Sequence, residues 1–211
     1  ARRLNPNVIS YSAAISACEK AKRWERALAL LVEMRARGME PNVISYSAAI
    51  SACEKGGQWE RALALLDEMR RRGLEPDVIS FCAAIEACEA SGERAAATRL
   101  YAEALERALL PELGAGGQLD LHEHPAAVAV VAVAFGLDRL ARGELELPAT
   151  RLEIITGRGR HSVGNVAIVK PQVEALLASD EYVELGATED RTNPGRLVIP
   201  AANLKAWVSG Q

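Results

Sequence analysis

The chain has 211 residues, of which 49% are hydrophobic and 25% charged, with a formal net charge of −3. That balance describes a folded domain and excludes a disordered chain, and the longest apolar run, 126–137, is too short for a membrane span. The charge excludes polyanion binding by bulk attraction, because residues 1–112 carry 16 basic against 16 acidic groups and the remainder 9 against 12. An anionic ligand would have to meet a locally patterned face.

Residues 8–42 and 43–77 repeat one another. They differ at seven positions and are identical at 28 of 35. A worn third copy runs over 78–112 and keeps VIS, AAI and ACE together with Pro111. Residues 1–7 resemble the end of a further copy, so more repeats are expected upstream. A period of this length means stacked supersecondary units with an extended binding face.

Each copy reads as two helices. In copy two, Tyr46, Ala49, Ile50 and Cys53 form one apolar stripe and Trp59, Ala62, Leu63, Leu66 and Met69 a second. Gly56-Gly57 separates them as cap and turn, and Gly73 with Pro76 ends the second. Trp24 and Trp59 are expected to pack between helices. Copy three has Arg94, Ala104 and Ala108 where copy two has Trp59, Met69 and Gly73. Cys18, Cys53 and Cys88 recur at the same repeat position, as small buried hydrophobes do, and neither zinc spacing nor a disulfide framework is present.

These features resemble the pentatricopeptide repeat (PPR). The 35-residue period, the V-x-S-Y opening, the lone glycine near the end and the final Pro-Asn or Pro-Asp carry the resemblance. It implies binding of single-stranded RNA, one base per repeat. It further implies that the fifth and last residues of a repeat read the base and the second clamps it. Those positions are Ser12, Asn42 and Ile9 in copy one, and Ser47, Asp77 and Ile44 in copy two. Copy three offers Cys82, Glu112 and Ile79, a pairing outside the family's usual set. In that family Ser with Asn goes with adenine and Ser with Asp with guanine. On chemistry alone, Asn42 and Asp77 also suit helix N-caps.

Residues 113–117 (LGAGG) read as a flexible linker. Strands are expected at 118–121, 151–156, 182–186 and 196–199, and helices at 125–142 and 163–179, with Pro171 at a kink or in the first turn. The order β-α-β-α-β-β predicts a small α/β sandwich over 118–200, followed by a tail at 201–211. The expected fold is therefore an α-helical solenoid followed by this sandwich.

All three histidines lie in this half. Asp120 and His122 end the first strand, and His161 follows the second in T-G-R-G-R-H-S, residues 156–162. Gly157, Arg158, Gly159, Arg160 and Ser162 suit an anion at a helix start. Asp120, His122 and His161 could converge on one phosphate, with histidine as proton carrier. The LDLH and TGxGxHS segments resemble the Smr (small MutS-related) domain over about 118–200. That implies nicking or RNA-cleaving activity carried by Asp120, His122 and His161.

Glu123 replaces the glycine common in LDLHG, which sets a carboxylate beside the phosphate site and counts against activity. His124 matches no motif and is expected to face solvent. No metal site is expected, and a Mg²⁺ requirement stays open. The two resemblances together imply an organellar RNA-binding protein, of plastid or mitochondrion, with no membrane partner. Three readings follow: an endoribonuclease in transcript processing, a non-catalytic factor that stabilises transcripts or aids translation, and a protein–protein scaffold.

Overall fold

A computed structural model describes residues 6–158 and 167–210, which form two compact units, Ala1–Ala104 and Leu105–Gln211. The first is a helical repeat of solenoid type. Its helices are α1 (Val8–Lys20), α2 (Trp24–Ala36), α3 (Val43–Lys55), α4 (Trp59–Arg71), α5 (Val78–Ala90) and α6 (Arg94–Glu106).

The helix boundaries follow from capping chemistry. Asn7, Asn42 and Asp77 each accept the backbone N–H of the residue three positions on, at α1, α3 and α5. That satisfies a donor which a helix start leaves orphaned. The first helices end in a left-handed residue at Lys22, Gly57 and Gly92, and the second helices at Gly38, Gly73 and Ala108. Arg23, Gln58 and Glu93 then donate to the carbonyls of Cys18, Cys53 and Cys88, each at 2.9 Å, closing the turn.

The first helices stack as one layer, α1 on α3 on α5, with α2 and α4 behind them. Neither helix of a pair could bury its stripe alone. Tyr46, Ile50, Leu66 and Met69 are fully buried where copies meet. A polar ladder repeats with the sequence. Tyr11 donates to Glu33 at 2.9 Å and Tyr46 to Glu68 at 3.0 Å, and Arg70 bridges to Glu103 at 2.6 Å. Burial, with Glu68 beside it, pushes the Tyr46 phenol up to about 12. Cys53, Cys82 and Cys88 are buried and Cys18 partly so, all as free thiols.

The second unit holds β1 (Gln118–Asp120), α7 (Ala126–Ala141), β2 (Arg151–Ile155), α8 (Val169–Leu177), β3 (Thr188–Glu189), β4 (Arg196–Pro200) and α9 (Ala201–Gly210). The sheet order is β1-β2-β4-β3, with β1 and β2 parallel and the other pairs antiparallel. Leu119, Leu152, Ile154, Leu197 and Ile199 are the strands' buried alternate positions, and Val128 and Leu137 of α7 are buried as well. Pro171 sits in the first turn of α8, where a missing N–H costs nothing.

Three expectations change. The linker is ordered: Gly117 (φ +74°) accepts Glu153 N–H at 2.7 Å, and a Cβ there would sit 2.4 Å from Pro148. The strand expected at 182–186 is a 3₁₀ turn at Val183–Leu185, led in by Tyr182 and Val183 donating back to Ser179, and the edge pairing falls to Thr188–Glu189. The tail folds as α9, whose Leu204 and Trp207 are buried; Trp207 donates to the Glu181 carbonyl at 3.1 Å. Of the helix expected over 163–179, residues 163–166 lie outside the described residues.

Candidate nucleic-acid interface and phosphate site

The repeat period brings residues thirty apart into hydrogen-bonding range. Ser47 lies one turn into α3 and Asp77 caps α5, yet Ser47 Oγ donates to Asp77 Oδ1 at 3.0 Å. Ser12 and Asn42 repeat the arrangement at 3.5 Å, a looser contact. The stacking of first helices causes this: the start of each lies against the first turn of its predecessor.

Capping and ligand reading are therefore not alternatives. Asn42 and Asp77 each use Oδ1 on the cap, which leaves Nδ2 of Asn42 and Oδ2 of Asp77 as second polar atoms. The same pocket contains two residues that the sequence reading passed over, Ser45 and Ser80. Both are fully buried and donate to the same Oδ1 atoms, at 3.0 and 2.7 Å. The available signal was a serine at the third position of all three copies.

Ile9, Ile44 and Ile79 are 76%, 62% and 57% exposed, large apolar groups left in water at the same period. Cys82 is buried. Its expected partner Glu112 caps no helix and instead accepts Arg139 Nη1 at 2.8 Å in the second unit. Glu86 stands one turn beyond Cys82, where copies one and two have serines. Burial, with Glu54 close by, raises it to about 7 against the opposing pull of Lys55.

In the second unit, β1 ends at Asp120, and His122 follows in a turn closed by His124 N–H to the Leu121 carbonyl at 3.1 Å. His122 Nδ1 lies 2.6 Å from Asp120 Oδ1. A carboxylate only accepts, so Nδ1 carries the proton. Nε2 then faces Glu123 Oε1 at 3.5 Å. The hydrogen bond to Asp120 is the main cause that raises the His122 imidazole above its ordinary value, and both acidic charges add to it. His124 is half-buried, not solvent-facing as expected, and burial lowers it.

Gly157 (φ +75°) lies against His122: a Cβ there would come within 3.1 Å of the His122 Cβ. Its N–H donates to the Gly195 carbonyl at 3.1 Å, so that amide is committed to the fold and not presented to an anion. Arg158 Nε donates to Asn193 Oδ1 at 3.1 Å. The β2 end and the 193–195 loop thus assemble beside His122. Gly159, Arg160, His161 and Ser162 lie outside the described residues. Among the described residues, no three His, Cys, Asp or Glu side chains gather to hold a metal, and no helix is long and apolar enough to cross a membrane.

Comparison with known proteins gives a family match within the first unit and fold matches that extend beyond it. Residues 6–55 and 41–90 match the model of the PPR repeat family. The crystal structure of the pentatricopeptide repeat protein PPR10 in complex with an 18-nt psaJ RNA element matches at 25% identity and TM-score 0.51, covering 68% of the chain. PPR10 from maize matches at 22% identity and TM-score 0.52, covering 85%. The PPR domain of Arabidopsis thaliana protein-only RNase P 1, in complex with tRNA, matches in fold at 11% identity and TM-score 0.52, covering 99%. The chain spans about a fifth of the PPR10 structures and 83% of the Arabidopsis one. No curated protein matches the chain.

Proposed function

We propose that this chain binds single-stranded RNA, its first two repeats selecting adjacent bases and its second unit acting on the backbone as an endoribonuclease. One observation carries the reading. Residues thirty apart, Ser47 and Asp77, meet at 3.0 Å, and the second residues of the two repeats they join, Ile44 and Ile79, are exposed. Paired hydrogen-bonding groups together with exposed apolar side chains match a base: polar at its edge, apolar on its faces. Ser47 and Asp77 both offer acceptors, and guanine's N1–H and N2–H₂ supply the adjacent donors they need. Asn42 adds a donor, which suits adenine.

In the second unit, His122 supports a proton-transfer role. With Nδ1 held by Asp120, Nε2 is the nitrogen that would take a proton from the attacking hydroxyl. His161 and the Arg158–Ser162 segment complete the proposed phosphate site, in the manner of an Smr domain. The proposal extends to processing of organellar transcripts, in plastid or mitochondrion. Mg²⁺ is the metal to test.

A second reading has its own support. The Glu123 carboxylate lies 3.5 Å from His122 Nε2, where a phosphate would have to approach. Like charge there favours a binder that does not cut. Incubation with end-labelled single-stranded RNA, with Mg²⁺ or chelator, separates the two. Discrete cuts that His122→Ala abolishes support the nuclease. Bound but intact RNA with both proteins supports the non-catalytic factor. Absence of RNA binding at any salt concentration rejects both and leaves a protein scaffold.

A further inference from the structure

Beyond the two base-reading pairs, the structure contains a polar contact that no ligand could touch. Ser45 and Ser80 are 0% exposed, the third residue of the repeat that follows each pair. Ser45 Oγ lies 2.8 Å from Ser12 Oγ and donates to Asn42 Oδ1 at 3.0 Å, and its backbone N–H donates to the same oxygen at 3.0 Å. Ser80 repeats this with Ser47 at 2.8 Å and Asp77 at 2.7 Å, its N–H at 2.9 Å.

A hydroxyl has one proton. Two acceptors lie close to Ser45 Oγ, Asn42 Oδ1 and Ser12 Oγ, with Met34 Sδ distant at 3.9 Å and weak; only Ser12 can also donate, so both close contacts are hydrogen bonds in one arrangement alone. The Ser45 proton therefore goes to Asn42, and the Ser45 lone pairs take the Ser12 proton. Ser12 is left offering lone pairs to a ligand, and the Asn42 amide is held with oxygen inward and Nδ2 as its remaining group. In copy two the Ser47 proton also goes inward, because Ser80 Oγ, Asp77 Oδ1 and the Val43 carbonyl at 2.8 Å all lie within the fold. Ser47 and Asp77 then offer acceptors alone.

We propose that Ser45 and Ser80 are positioning residues that set which hydrogen-bonding atoms the Ser12/Asn42 and Ser47/Asp77 pairs present to their bases. This rests on the reading of those pairs as base-selecting. A backbone N–H alone leaves the capping group free to swing about its χ2. The buried hydroxyl ties cap and partner serine together, so the two groups meet a base edge as one rigid pair. Each serine acts on one base only, the base read by the pair it joins.

The test uses the whole chain and uridine hexanucleotides carrying one adenine–guanine step, with each purine exchanged in turn. Ligand-observed NMR titration reads the weak affinities expected of two repeats. In the wild-type chain each purine preference is expected at about fivefold or more, the low end for a good bidentate pair. Ser80→Ala should bring the guanine preference below twofold and leave the adenine preference intact. Ser45→Ala should do the reverse. Thermal melting checks the fold, and Ser80→Cys, which keeps a γ atom and its hydrogen but weakens the donor, replaces an alanine variant that does not fold. Preferences unchanged in folded variants, or both blunted equally by either variant, overturn the positioning role. If the wild-type chain has no preference and Asp77→Ala changes nothing, the base-selecting reading itself fails.

Discussion

Trp24 occupies the space that a side chain at position 56 would need: a Cβ on Gly56 would lie 2.2 Å from Trp24 Cδ1. The indole of one repeat covers the turn of the next, with Arg61 of that repeat 4.3 Å from its ring centroid. The two glycines of the Gly56-Gly57 turn therefore serve different ends. Gly57 supplies a left-handed backbone (φ +67°), whereas Gly56 (φ −94°) supplies room.

Gly56→Ala is accordingly expected to destabilise the first unit by about 1–3 kcal/mol, the usual range for overpacking. Trp24→Leu in the same chain should recover most of that loss by clearing the site. Denaturant unfolding of Gly56→Ala, Trp24→Leu and the double variant measures it. Equal loss from Gly56→Ala with and without Trp24 would show that the clash is not the cause.

The turns also predict a gain. Left-handed residues recur at 38, 73 and 108, and the last is alanine, with φ +55°. A side chain in that conformation costs about 1–2 kcal/mol, which glycine escapes. Part of the gain is lost to the greater freedom of glycine in the unfolded chain. Ala108→Gly should therefore stabilise by about 0.5–1 kcal/mol, read as a shifted midpoint at unchanged denaturant slope.

Glu86 predicts a pH dependence. Its carboxyl is raised to about 7, first by burial and then by Glu54. Between the ordinary value near 4.5 and 7, the folded chain holds this proton more tightly than the unfolded chain. Stability from this group is thus full below about 4.5, falls as pH rises to about 7 and is level above. Glu86→Gln should remove that component and melt higher than wild type at pH 8. Burial also raises Glu54 and Glu89, so some slope persists in the variant. Identical melting curves at pH 5 and pH 8 for both proteins would exclude the effect.

The Asp120–His122 contact predicts a spectroscopic change. Asp120→Asn replaces the carboxylate that is the chief cause of the raised imidazole. The His122 pKa should fall toward about 6.5, the ordinary histidine value. Glu123→Gln should lower it less, because that carboxylate lies farther off, at 3.5 Å against 2.6 Å. Proton NMR titration of the imidazole resonances measures both, and His124, which the same two carboxylates raise, should fall as well.

Much of this molecule was legible in its residues. The 35-residue period, the apolar stripes around Tyr46 and Trp59 and the cap positions Asn42 and Asp77 are local patterns, so the sequence alone determined a stacked array of helix pairs. The α/β order of the second half was legible for the same reason, because strand alternation and helical spacing are short-range. The tertiary structure alone decided what lies against what. It made Ser47 and Asp77 a hydrogen-bonded pair, and buried Ser80 against that pair and Ser45 against Ser12 and Asn42. It also turned the expected tail into α9, whose Leu204 and Trp207 have stabilising contacts only once the rest of that unit is in place. Such relations join residues far apart in the chain, and the energy that selects them comes from packing and burial, which no local pattern records.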